Sequence, residues 1–69
     1  MKPLRVRCRQ ERRGRYAVSV YAGRGRRPVA EGRMYYAGTL VVCECGDALG
    51  LADSFSAGAK LIKRMVAER

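Results

Sequence analysis

Leu4-Arg5-Val6-Arg7-Cys8-Arg9 is the stretch whose reading decides the fold. Apolar and basic side chains alternate in it with period two, the signature of a strand with one buried and one solvated face. Leu4, Val6 and Cys8 are assigned to the core, and Arg5, Arg7 and Arg9 form a ladder on the outer side. Gln10-Glu11-Arg12-Arg13-Gly14 is polar and ends in glycine, so it reads as a hairpin loop with Arg12 and Arg13 near its tip. Arg15 to Ala22 resumes the alternation, with Tyr16, Val18 and Val20 inward and Ala17, Ser19 and Tyr21 outward. Pairing of the two strands places Tyr21 on the surface of the arginine ladder. A flat ring among guanidinium groups stacks bases and grips phosphates. The plainer alternative is an edge tyrosine covering its own sheet.

Gly23-Arg24-Gly25-Arg26-Arg27-Pro28 holds two glycines and a proline in six positions and is expected to be a mobile cationic loop. It resembles the AT-hook, whose Arg-Gly-Arg-Pro core lies extended in the minor groove of A·T-rich DNA; here Arg27 stands between Arg26 and Pro28. The resemblance implies insertion of arginines where narrow grooves concentrate negative potential. Val29 to Tyr36 reads as a third strand, with Ala30, Met34 and Tyr36 on one side and Val29, Glu31, Arg33 and Tyr35 on the other. Gly32 in its middle weakens it or marks a bulge. Ala37-Gly38 turns the chain into Thr39 to Cys45, where Leu40 and Val42 occupy one face and Val41, Cys43 and Cys45 the other. Two apolar faces suggest a central strand or one buried in an oligomer. Either the arginine ladder then lies to one side of the sheet, or a second subunit covers part of it.

At 100° per residue, Ala48, Leu51, Ala52, Phe55, Ala59, Ile62 and Val66 share one side, which reads as an amphipathic helix from about Ala48 to Ala67 capped by Asp47. Gly50 and Gly58 favour a competing reading, a break near Ala52 and a restart at Asp53 or Ser54; Ser54 to Ala67 is helix in both. Lys60, Lys63, Arg64 and Arg69 complement the negative end of its dipole. Leu49, Leu61 and Met65 lie off the core stripe. They widen the core face or contact a second subunit or protein target.

These elements give one small α+β domain over residues 1–69: a three- to four-stranded antiparallel sheet with one C-terminal amphipathic helix packed on one face. Strands preceding a helix resemble the back half of a double-stranded RNA-binding domain. The leading helix is absent and the last helix opens on Asp53-Ser54 instead of paired lysines, so that family's RNA contacts are not carried over. Tyr16-Ala17-Val18-Ser19-Val20 followed by Ser54-Phe55-Ser56-Ala57-Gly58-Ala59-Lys60 is similar in layout to small anti-CRISPR proteins of phages and mobile elements, several of which are compact strand-strand-helix domains. That resemblance implies an inhibitor acting by occlusion, docked on an acidic protein surface or a nucleoprotein complex.

Charge points the same way. Eleven of the fifteen basic residues lie between Lys2 and Arg33, opposed there only by Glu11 and Glu31, while from Met34 onward four cations meet four acids. The net charge of +9 thus resides in the first half, and such a field concerns partners and association rate more than fold. Twelve of the cations are arginine, whose fork suits phosphate and carboxylate. A chain this short buries only roughly 60% of its unfolded surface, so a homodimer would add stability. With no histidine, neither the serines nor the cysteines have a base, and the acids are scattered; no catalytic residue and no cofactor are expected. Cys8, Cys43 and Cys45 are one ligand short of a structural zinc site and read as small buried hydrophobes in a reducing compartment. No apolar run is long enough to cross a bilayer. The expectation is a cytoplasmic, non-enzymatic protein whose Arg5, Arg7, Arg9, Arg12, Arg13, Tyr21, Arg24, Arg26 and Arg27 bind DNA or RNA or, alternatively, an acidic protein.

Overall fold

The structure, a computed structural model, describes residues 3–68. Lys2 of the basic segment and Arg69 of the expected helix end lie outside the described residues. The elements are β1 (Leu4–Arg12), β2 (Arg15–Ala22), β3 (Ala30–Ala37), β4 (Leu40–Cys45), β5 (Ala48–Ala52) and α1 (Phe55–Ala67). The strands follow one another in a single antiparallel sheet of order β1-β2-β3-β4-β5, and α1 packs on one face of it. This is the expected α+β layout with five strands in place of three to four.

The extra strand is β5, in the segment expected to open a long helix. Cys45 pairs with Ala48 across Gly46-Asp47, and Gly46 has φ 60. Glycine first in a two-residue loop is the pattern of a type II′ hairpin, whose twist matches that of the strands it joins. Gly38, with φ 67, does the same between Ala37 and Leu40. Asp47 is therefore a turn residue and caps nothing. Leu51, placed in the helix stripe by periodicity, projects instead from the face of the sheet away from α1 and is 61% exposed.

The helix begins where the shorter reading put it. Ser54 is extended (φ −153, ψ 167), and its Oγ accepts the Ala57 N–H at 3.1 Å, satisfying one orphan donor of the first turn. Ile62 and Gly58 form its buried line against Val18, Val20, Met34, Val41, Cys43 and Cys45. Leu61 and Met65 are half-buried over Gly50, so these two widen the core face, while Leu49 is exposed. Cys43 and Cys45 are core residues as expected; Cys8 is exposed, and of the inward-reading residues of β1 only Leu4 and Val6 pack against the core.

Two glycines set the spacing of the layers. A Cβ on Gly58 would come within 2.7 Å of Met34 Sδ and 2.9 Å of Cys43 Sγ, so the helix sits on the sheet at a distance only glycine permits. Gly32 forms no bulge. It pairs regularly with Val18 and Cys45, and a Cβ there would run into the Glu44 carbonyl oxygen. Gly32→Ala and Gly58→Ala should each cost about 1–3 kcal/mol in urea unfolding, the helix-propensity gain at residue 58 being smaller than the overpacking. Gly50→Ala should cost less, since its obstacles are the flexible ends of Leu61 and Met65, at 2.8 and 2.9 Å. Equal losses at all three positions would contradict this packing.

Candidate nucleic-acid interface

Alternation sends every second strand residue away from α1 and builds an uncovered face. Registers place Arg5 opposite Tyr21, Arg7 opposite Ser19 and Arg9 opposite Ala17, and then Ala17 opposite Arg33 and Arg15 opposite Tyr35. Farther on, Arg33 faces Glu44, Tyr35 faces Val42, and Val42 faces Leu51. The face therefore grades from basic on β1 to apolar on β5, and the ladder does lie to one side. Its centre is a shallow hollow of about 880 Å³ lined in part by Arg7, Arg9, Ser19, Tyr21, Glu31 and Arg33.

A bulge adds Arg12 to this surface. The register slips between Gln10, opposite Tyr16, and Arg12, opposite Arg15, leaving Glu11 as the extra residue. Unbroken alternation would have turned Arg12 toward the helix side. The strand consequently runs to Arg12, and the expected five-residue loop shrinks to Arg13-Gly14. Arg12 and Arg15 stand directly opposite each other, a like-charge pair that an anion between them would relieve. They share a hollow of about 390 Å³ with Arg33, Tyr35 and Glu44.

At the other end, the loop expected to be mobile is tied down. Arg5 Nε donates to the Gly23 carbonyl at 2.8 Å and Arg5 Nη2 to the Gly25 carbonyl at 2.9 Å. Gly25 N–H donates to the Ala22 carbonyl at 3.1 Å and Val29 N–H to the Val20 carbonyl at 2.7 Å. The start of the AT-hook-like run is thus a turn, not an extended segment. Arg24 and Arg26 line a hollow of about 570 Å³ with Arg5, Arg7 and Tyr21. Arg13 and Arg27 are exposed and line none of these hollows.

Each end holds an arginine over a tyrosine ring: Arg5 over Tyr21 and Arg15 over Tyr35, both 5.4 Å from guanidinium carbon to ring centroid. Along β2 the two sites are roughly 20 Å apart at the ordinary strand rise. The Tyr35 hydroxyl donates to Glu44 Oε1 at 3.0 Å. Among the described residues the one ion pair within 4 Å is Arg64–Glu68, on the exposed side of α1, so no described arginine of the open face has a carboxylate within 4 Å, Arg33 being the one with a glutamate, Glu44, directly across the strand pair. Arg15, Arg33 and Tyr35, outside the residues expected from the sequence, belong to the same face. Parity with Ala17, Ser19 and Tyr21, or with Glu31, would have found all three.

The remaining reactive groups are quiet. Burial pushes the Cys43 thiol above its ordinary value, and partial desolvation does the same at Cys8, so neither is an activated thiolate. Among the described residues no helix is long and apolar enough to cross a membrane. No protein-family model matches this chain, and neither the curated proteins nor the solved structures contain a match to it.

Tyr35 provides a titration that reads the site. The hydrogen bond to Glu44 raises its pKa first, followed by desolvation and the Glu44 charge, with Arg15 acting in the opposite sense. A raised folded value means that the contribution to stability is present below the ordinary tyrosine pKa and lost as pH rises through the folded one. Carbon-13 shifts of the Tyr35 ring should report a late titration, earlier in Glu44→Ala and later still in Arg15→Ala. An unchanged midpoint in Glu44→Ala would contradict the bond.

Proposed function

We propose that this chain is a non-enzymatic, cytoplasmic nucleic-acid-binding protein whose open sheet face takes a single strand of DNA or RNA. The observation that carries the reading is the set of unpaired guanidinium groups on one concave face, bounded at both ends by a tyrosine ring. Arginine forks left without carboxylates suit phosphates, which supply most of non-specific affinity. Half-buried rings on a sheet face, as Tyr21 and Tyr35 are, offer an edge or face to unstacked bases, which a duplex does not present. Arg7, Arg9, Arg12, Arg15 and Arg33 follow the backbone of the strand across the hollow, Arg24 and Arg26 extend the track at the loop, and Tyr21 and Tyr35 stack bases. Arg5 has a bracing role, with two of its five donors already held by the loop. Glu11 and Glu31 separate the guanidinium groups and set the path between them.

Fluorescence anisotropy with labelled single strands and a duplex of equal length, titrated across salt, tests the reading. If about six phosphates are neutralised, log affinity for the single strand falls against log salt with a slope of about −4, against about −5 for a duplex. Arg7→Ala with Arg9→Ala should flatten the single-strand slope by about 1.4. Tyr35→Ala should cost about 1–3 kcal/mol of binding with the slope unchanged. Absence of binding at low salt by the folded protein would overturn the reading and turn the same arginines toward an acidic protein surface.

A further inference from the structure

We propose that β5 is a self-association edge, pairing antiparallel with β5 of a second copy of this chain about a two-fold axis. The strand has β4 on one side only, so its outer row of N–H and C=O groups lacks a sheet partner. Ala48–Ala52 contains no charge, no proline and no bulge, the three devices that usually protect an edge. Leu49 and Leu51, 69% and 61% exposed, are the most exposed large hydrophobic residues described. On the helix side the same edge carries Leu61 and Met65, half-buried over Gly50. Three layers of apolar or hydrogen-bonding surface therefore end at one line.

Charge selects a second copy as the occupant. β1, the other edge, presents Arg5, Arg7 and Arg9, which would repel their own image. β5 is the sheet edge farthest from β1, so joining there keeps the two arginine ladders as far apart as the sheet allows. The edge also complements itself. Asp47 precedes the strand, while beyond its other end Lys60 and Arg64 line a hollow of about 460 Å³ with Leu51 and Asp53. Antiparallel pairing centred on Gly50 sets Leu49 beside the second copy's Leu51, twice over, and brings each Asp47 opposite its mate's Asp53, where that mate's Lys60 and Arg64 in the same hollow offset the two carboxylates. The product is a ten-stranded sheet with both basic faces on one side. A contact this short lies at the small end of interface sizes, so association is concentration-dependent.

Sedimentation equilibrium without nucleic acid, from nanomolar to high micromolar protein, decides the matter independently of the binding reading above. A monomer that becomes a dimer as concentration rises, and that Leu49→Lys with Leu51→Lys holds as a monomer with an unchanged circular dichroism spectrum, upholds the proposal. A monomer throughout, or a dimer untouched by the two lysines, overturns it. Should the double variant fail to fold, hydrogen exchange of the unsubstituted protein supplies the answer. Exchange in β5 that slows with concentration supports the edge pairing, and exchange that does not contradicts it.

Discussion

One thirteen-residue helix cannot cover both faces of a five-stranded sheet. Everything distinctive about this chain depends on that constraint. The face toward α1 collects Val18, Val20, Met34, Val41, Cys43 and Cys45, and the approach is close enough to require Gly58. The other face must be solvated along its whole length, and β1 meets that need with arginine, β2 and β3 with one arginine each among smaller or aromatic residues, while β4 and β5 supply none. Polarity therefore varies across the open face rather than between faces alone, with basic and apolar side chains segregated to opposite edges of one surface.

The alternating strands were legible because period two cannot be satisfied by any other regular structure. Leu4 to Arg9, Arg15 to Ala22 and Thr39 to Cys45 each carried it, and faces assigned from it agree with the structure at Arg5, Arg7, Arg9, Tyr21, Val41 and Cys43. The fifth strand was obscured by composition. Ala48, Leu51 and Ala52 satisfy a helical period by virtue of alanine, which fits either face of anything, whereas Gly46-Asp47 two residues long between apolar runs is a hairpin signal of greater weight. Glycines misled in a consistent way: Gly32 and Gly58 looked like weak points and are contact points, a distinction that only the neighbouring layer reveals. Arg12 reads as loop from sequence because a single-residue bulge leaves no mark in the alternation preceding it.

Electrostatics links the packing to the proposed function. Guanidinium groups held opposite one another, as Arg12 and Arg15 are, repel in the unliganded protein and gain when an anion enters. The bracing of the Gly23–Pro28 loop by Arg5 means that Arg24 and Arg26 are presented from a fixed turn, so less ordering is needed on binding. Tyr35 is fixed by Glu44 at its hydroxyl and by Arg15 at its ring, so its orientation is set before any ligand arrives.

Arginine side-chain resonances give the most direct test that the open face is the interface. In a nitrogen-15 titration with a short oligonucleotide, the Nε–Hε signals of Arg7, Arg9, Arg12, Arg15 and Arg33 should move together with the Tyr21 and Tyr35 rings, while Arg64 on the far side stays still. Shifts confined to α1, or spread evenly over all arginines irrespective of face, would contradict it.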